Sequence, residues 1–399
     1  MSDSSTGTEG SVLHNNTSTD KIGAASGPLR NRTTLIAILV LLSSVFITYS
    51  ISTTSTVDIL TTRLRLPRLS LFSRAFSSPS SAPVAATITA PERSRSTTDM
   101  VKTPVYFLSH GGPNIMYEHD HPAYKKLQEI GREITQKVKP RAVVVVSGHW
   151  QAGRDTVQVN TAEMTELIYE YVQRHKENPP AEAIVNHRVS FYGFPSHYYA
   201  EKYPHVGSRD LSQKVLSYLN EAGIKAEGVK RGLDHGVWAS FKCAFEPDSN
   251  PLGVPIVQVS LFDSEDPAEH MRLGAAFSRL REDNVLVIGS GMAVHNLRDM
   301  RFMFADPRPL PYTVSFDAAL KTAVVDTAPA QREKAMVELL RRKDARQAHP
   351  SFDHLLPLHV AAGAAAQDKA RRLFTFNEGS MGWAMFRFGD LSTEVPKEK

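Results

Sequence analysis

A single cysteine, Cys243, occurs in 399 residues, which excludes an intramolecular disulfide framework and any cluster or zinc site built from several thiolates. Metal chemistry, if present, must come from histidine and carboxylate. Cys243 itself reads as a small buried residue rather than a nucleophile. The chain also lacks HExxH, GxSxG, a phosphate-binding P-loop and a strand-linked GxGxxG, which disfavours zincin, α/β-hydrolase, NTPase and dinucleotide-binding readings. A pI of about 9.0 suggests a polyanion partner. However, residues 1–100 hold a net charge of +3 out of the chain's +4, and the remainder shows no basic stripe with interleaved aromatics. Nucleic-acid binding is therefore not expected.

The N-terminal quarter lacks the apolar periodicity of a domain. Residues 1–33 are rich in Ser, Thr, Gly and Asn and should form a disordered tail. Within 34–52, the uncharged run Leu35–Ile51 approaches the ~20 residues that span a bilayer as a helix and exceeds the usual apolar core of a cleavable signal. It reads as a single membrane anchor, which would make an otherwise cytoplasmic protein membrane-associated. An organelle-targeting leader is the alternative. Arginines flank both ends and do not orient the segment. Residues 53–103, with Ser, Thr, Pro and Arg but no periodicity, suit a linker.

From residue 104 to about 390, apolar runs alternate with amphipathic stretches. Strands are expected at 105–109, 142–147, 254–260 and 285–289. Helices are expected near 122–138, 209–222, 267–281, 313–326 and 331–342. Arg372–Phe376 and Trp383–Phe388 could add edge strands, and 391–399 forms a tail. This alternation predicts one α/β domain with a mostly parallel central sheet covered by helices on both faces. The polar stretch 171–190, with Pro179-Pro180, interrupts it as a surface insertion, which costs little closure entropy.

The organising segment is RAVVVVSGHW, Arg141–Trp150. Four consecutive valines read as a strand buried on both faces, and Ser147-Gly148 then delivers His149 at its carboxyl end. The same grammar carries Val105–Ser109 into His110 and Val285–Val294 into His295. Parallel sheets bind ligands outside the carboxyl ends of their strands, so these three of the fifteen histidines could converge. His235, in RGLDHGVW, occupies a turn suited to proton transfer or substrate contact. HPSFDHLLPLH offers His349, His354 and His359, one of which is a credible metal ligand that spacing does not single out. His119, His121, His197, His205 and His270 sit in surface-like contexts and are set aside with the histidines of the tail and insertion. Two or three imidazoles with open positions describe hydrolytic zinc or non-haem ferrous iron.

SHGGPN, VVVVSGHW, FYGFPSHYYAEKYP, RGLDHGVW, GSGMAVHNLRD and HPSFDHLLPLHVAAGAA occur in the order found in the class III extradiol ring-cleavage dioxygenases. The chain resembles their DOPA-dioxygenase-like branch over about 104–390. The resemblance implies one divalent metal, Fe(II) when active with Zn(II) able to occupy the site, and O2 with a catechol as substrates. It implies His110, His149 and His354 as metal ligands. His295 is implied either as acid/base or as a further ligand, His235 as close to the substrate, and His349 is placed with it on the substrate side. A zinc hydrolase or an inactive, membrane-tethered binding protein on the same fold are the alternatives.

Overall fold

In the computed structural model, residues 102–169, 195–302 and 306–391 are described. The expected tail (1–33), anchor (34–52), most of the linker (53–103), the insertion 171–190 and nearly all of the C-terminal tail lie outside them. Among the described residues no helix is long and apolar enough to cross a membrane.

Eleven strands occur among the described residues: β1 (Val105–Ser109), β2 (Ala142–Gln151), β3 (Thr156–Asn160), β4 (Lys225–Val229), β5 (Ile256–Leu261), β6 (Val285–Gly291), β7 (Val294–His295), β8 (Ala370–Phe374), β9 (Asn377–Glu378), β10 (Met381–Gly382) and β11 (Met385–Phe388). Eight form the main sheet in the order β4-β3-β5-β2-β6-β1-β11-β8. The central four, β5, β2, β6 and β1, are parallel neighbours. The flanks are mixed, since β3 runs antiparallel to β5 and β11 antiparallel to both β1 and β8. β7, β10 and β9 make a separate small antiparallel sheet.

The eight α-helices described are α1 (Pro122–Glu133), α2 (Arg209–Glu221), α3 (His235–Ala244), α4 (Pro267–Ala276), α5 (Pro311–Lys321), α6 (Pro329–Leu339), α7 (Ala345–Ala348) and α8 (Leu356–Ala364). Four of them begin on proline, whose fixed φ suits a first turn where no amide donor is needed. α1 and α5 each run on into a π-helical turn, at Ile134–Val138 and Thr322–Asp326.

Alternate residues of the valine run enter two different cores. Val144 and Val146 join Val105, Phe107, Val257, Val287 and the helical residues Leu273, Phe316 and Val360. Val143 and Val145 join Tyr106, Leu108, Ile288 and the α1 and α3 residues Leu127, Ile130, Trp238 and Phe241. Burial on both faces is why this strand lacks a polar alternation. Helices cover both sides of the sheet, as its sequence predicts.

Candidate metal centre

The β2–β6 ladder ends at Ser147 opposite Ser290, whereas β2 rejoins β5 only at Gln151 opposite Leu261. The register shift between Val146 and Gln151 leaves Ser147, Gly148 and His149 in a locally re-aimed stretch, the usual consequence of an irregularity at a sheet end. On the other side of β6, the amide of His110 bonds to Gly291 O at 2.9 Å, so β1 carries His110 to the same rim. The turn Phe352–His354 closes over this rim. Its His354 carbonyl accepts from Met292 N at 2.8 Å, and an added Cβ at Gly291 would fall 2.1 Å from that carbonyl oxygen. Only glycine allows the turn to sit so low over β6.

Strands and turn together bring three imidazoles to one point. One nitrogen each of His110, His149 and His354 lies within 4.8 Å of the others. His354 Nε2 and His149 Nε2 are 3.2 Å apart. Two nitrogens bound at about 2.0–2.1 Å to one ion, at angles between octahedral and tetrahedral, would stand about 2.8–3.4 Å apart, and the observed spacing fits. His110 Nδ1 contacts Gly111 O at 2.6 Å, where it can act only as donor, so Nε2 keeps its lone pair. That Nε2 is buried with no hydrogen-bond partner. His354 Nδ1 faces Asp353 Oδ2 at 3.0 Å, and Ser351 Oγ donates to the other Asp353 oxygen at 2.5 Å. A carboxylate behind a ligand histidine fixes its tautomer and raises its basicity. An orphaned buried nitrogen, converging lone pairs and a carboxylate behind one ring are what a divalent metal requires.

Two more histidines flank this group. His235, the first residue of α3, has its ring centroid 3.9 Å from that of His149 and 6.0 Å from that of His110. His295 stacks on His354 at 3.8 Å with 13° between ring planes, and stands outside the group of converging nitrogens. Burial, followed by neighbouring histidine charge, lowers the pKa of His110 and His235 to about 3 and holds His149 and His295 well below the ordinary range. These rings are neutral at neutral pH, the state required of a ligand or a base. His349 does not join them. Its Nε2 faces Ala293 O at 2.9 Å, and its ring neighbours among the described residues are Phe316 and Phe352. In place of the expected substrate contact, it packs behind the chain leading to His295. His359 likewise turns its nitrogens to Leu355 O and Met336 O, away from the group.

Several supporting residues have no signal in sequence spacing. Asp234, fully buried, accepts from Ser147 Oγ at 2.8 Å, Arg231 Nη1 at 3.0 Å and Gln258 Nε2 at 2.5 Å. Ser147 Oγ in turn accepts from the His149 amide at 3.1 Å, tying α3 to the end of β2. Asp353 belongs here too; its place directly before a histidine was its only hint. A cleft of about 720 Å³ between α4, α6 and α8 is lined by residues such as Asp266, Arg272 and Glu333 and by none of these histidines.

Residues 104–386 match the family described as the catalytic LigB subunit of aromatic ring-opening dioxygenase. The chain belongs to that family. It is an extradiol ring-opening dioxygenase of the class its motifs resemble, and the family is metal-dependent. A 4,5-DOPA dioxygenase extradiol of Beta vulgaris is 30% identical over 287 residues, spanning 71% of this chain and 95% of the relative. A 4,5-DOPA dioxygenase extradiol-like protein of Schizosaccharomyces pombe is 29% identical, over 67% of this chain and 86% of its own length. An Escherichia coli K12 4,5-DOPA dioxygenase extradiol is 28% identical over 66% of this chain and 85% of the relative. The crystal structure of an uncharacterized protein from Escherichia coli K12 superposes with a TM-score of 0.55 at 25% identity, covering 72% of this chain and all of that one.

Proposed function

We propose that this LigB-family enzyme uses Fe(II) held by His110, His149 and His354 to cleave the ring of a DOPA-like catechol with O2. The observation that carries the proposal is the convergence of those three nitrogens within 4.8 Å at the rim of the sheet. Three protein ligands leave open positions, as ferrous oxygenase sites do. When bound, the metal supplies positive charge that orients the catechol oxygens and brings O2 alongside the ring.

The protein's own contribution is proton handling and shielding from water. His295, outside the ligand group and stacked on His354, is placed to take the second phenolic proton and later return it. Burial keeps it neutral and therefore able to accept. His235 is the substrate-facing partner, held by the start of α3 against His149. Asp234, through Ser147 and Arg231, fixes this side of the site, and the Arg231 guanidinium lies 4.4 Å over the Trp150 ring.

Anaerobic loading of the full chain with Fe(II), then exposure to O2 and DOPA, should yield a yellow ring-opened product. Loading with Zn(II) should give none. Hydrolysis of ester or amide substrates by the zinc form, with no ring opening by the iron form, would overturn this reading in favour of a zinc hydrolase. Metal binding without either reaction would leave a binding protein.

A further inference from the structure

At one edge of the main sheet two arginines stand directly against each other. Arg371 of β8 is the register partner of Arg387 of β11, and Arg387 is in turn the partner of Tyr106 on β1. Opposed residues of antiparallel strands share a face, with Cβ atoms about 4.5–5.5 Å apart, and like charges so placed destabilise the pairing. This face turns Tyr106 and Leu373 towards α1, whereas Arg372 points the other way and reaches Asp317 of α5 at 3.1 Å. α1 closes over the face with Lys126, Ile130 and Glu133, leaving a cavity of about 330 Å³ against the two arginines.

The two guanidiniums are met differently. Arg387, with 8% of its side-chain surface open, donates to Glu133 Oε1 at 2.8 Å and to Gly389 O at 3.3 Å. Tyr106 donates to the same Glu133 oxygen at 2.8 Å, so that carboxylate is already engaged by two members of the row. A guanidinium carries five N–H groups, and Arg387 has donors beyond these bonds. Arg371 is exposed, and among the described residues nothing hydrogen-bonds or ion-pairs with its side chain. Lys126 Nζ, on the same wall, meets only Glu129, at 2.5 Å, whose side chain is 65% exposed. Such a solvated pair opens at little cost. The recess therefore keeps the Arg371 charge uncompensated, against the repulsion of Arg387.

We propose that this recess is a phosphate-binding site, taking inorganic phosphate or the head of a small phosphate monoester. A tetrahedral oxyanion has oxygens in more than one plane and can accept from both guanidinium forks and from Lys126 together, which removes the repulsion; a planar carboxylate meets one fork. The cavity is at the small end of ligand pockets, with room for a phosphate bearing a short organic group. It is separate from the metal centre, because Tyr106 precedes His110 by four residues along β1, about 13 Å of strand. The site stands whether or not the chain opens catechol rings.

Calorimetric titration of the metal-free full chain with sodium phosphate, at an ionic strength fixed by chloride, tests this without a metal that would itself take phosphate. The parent should show saturable binding of one phosphate per chain. Arg371→Ala should weaken it roughly tenfold or more, the usual effect of losing a hydrogen-bonding charged group, and Arg371→Glu should abolish it. Phosphate raises the Tm of many proteins by exclusion from their surface, so the parent's rise must exceed that of Arg371→Glu. In chloride alone Arg371→Ala should melt no lower than the parent, because it relieves the opposed charges. Tighter binding of glycerol phosphate than of phosphate would identify a monoester as the ligand, and the reverse would identify the free ion. No saturable binding by the parent, or equal binding by all three proteins, would overturn the assignment. So would a lower Tm of Arg371→Ala in chloride with phosphate binding intact, which would make Arg371 a purely structural residue.

Discussion

Asp353 Oδ2 lies 3.0 Å from His354 Nδ1, so among the described residues this carboxylate meets the three-histidine cluster through an imidazole and stands outside the group of nitrogens that could share an ion. Ferrous oxygenase sites of the two-histidine, one-carboxylate type place that negative charge on the metal itself. Here Asp353 supplies it one bond network further out. Asp353→Asn should keep an acceptor for the Nδ1 proton while removing the charge; Asp353→Leu removes both. Metal affinity should fall about 10-fold to 100-fold for the leucine variant, and less for the asparagine variant. Competition between metal-free protein and a chelating dye measures this without any turnover. Unchanged affinity in Asp353→Leu would show that the carboxylate only shapes the turn.

Gly236 lies against His149 so closely that an added Cβ would stand 2.7 Å from His149 Cδ2 and 2.6 Å from Ser147 Oγ. Gly236→Ala must therefore push either α3 or the imidazole aside. Overpacking of this kind costs roughly 1–3 kcal/mol. A lowered Tm with metal affinity reduced alongside is expected, because the atom displaced belongs to a side chain proposed to hold the metal. A fall in Tm with full metal affinity would mean that α3 yields and His149 does not.

How much of this was legible depended on where each segment is buried. The valine run and the histidines following three strands were readable because a strand buried on both faces has an unmistakable composition. α3 is not legible, for the converse reason. HGVWASFKCA is buried almost all round, so it has no polar face to mark a helical period. α8, whose nine residues are all buried, is hidden in the same way, and Pro357 is accommodated in its first turn. β3 and the edge strand β4 are short and partly exposed, so neither carries the long apolar run that marks the central strands. Within HPSFDHLLPLH, spacing could not choose among three histidines. The choice is made by the short turn at Phe352–His354 and by the glycine floor beneath it, both tertiary features. His121, in a surface-like sequence context, caps α1 through Nδ1 and reaches Glu378 with Nε2.

His359 is fully buried away from the converging nitrogens, and burial lowers its pKa to about 4 from an ordinary 6.5. The unfolded chain thus binds a proton that the folded chain refuses between those values. Its contribution to stability is complete above pH 6.5 and is lost as pH falls towards 4, by up to ~3 kcal/mol for this one group. His359→Leu should lower Tm near pH 7.5, because the carbonyls of Leu355 and Met336 lose their neighbour. It should also flatten the fall in stability between pH 6.5 and 4. Urea midpoints of metal-free protein across that range provide the measurement. An unchanged pH slope would show that His359 titrates normally in the folded state.

His295 is parallel to His354 at 3.8 Å, yet outside the three nitrogens that could share an ion. Those two facts favour the acid/base role over the ligand role for His295. A ligand must aim a ring nitrogen at the metal, whereas a base needs only to reach the substrate oxygen held beside it. His295→Ala should therefore bind metal as fully as the parent while ring cleavage falls by about 10²–10⁴, the range removed with a general acid/base. Metal content after anaerobic reconstitution and single-turnover rates on one catechol measure the two halves independently. Loss of the metal together with the activity would instead make His295 a fourth ligand. The proton would then have to pass through His235, the other neutral ring bordering the site.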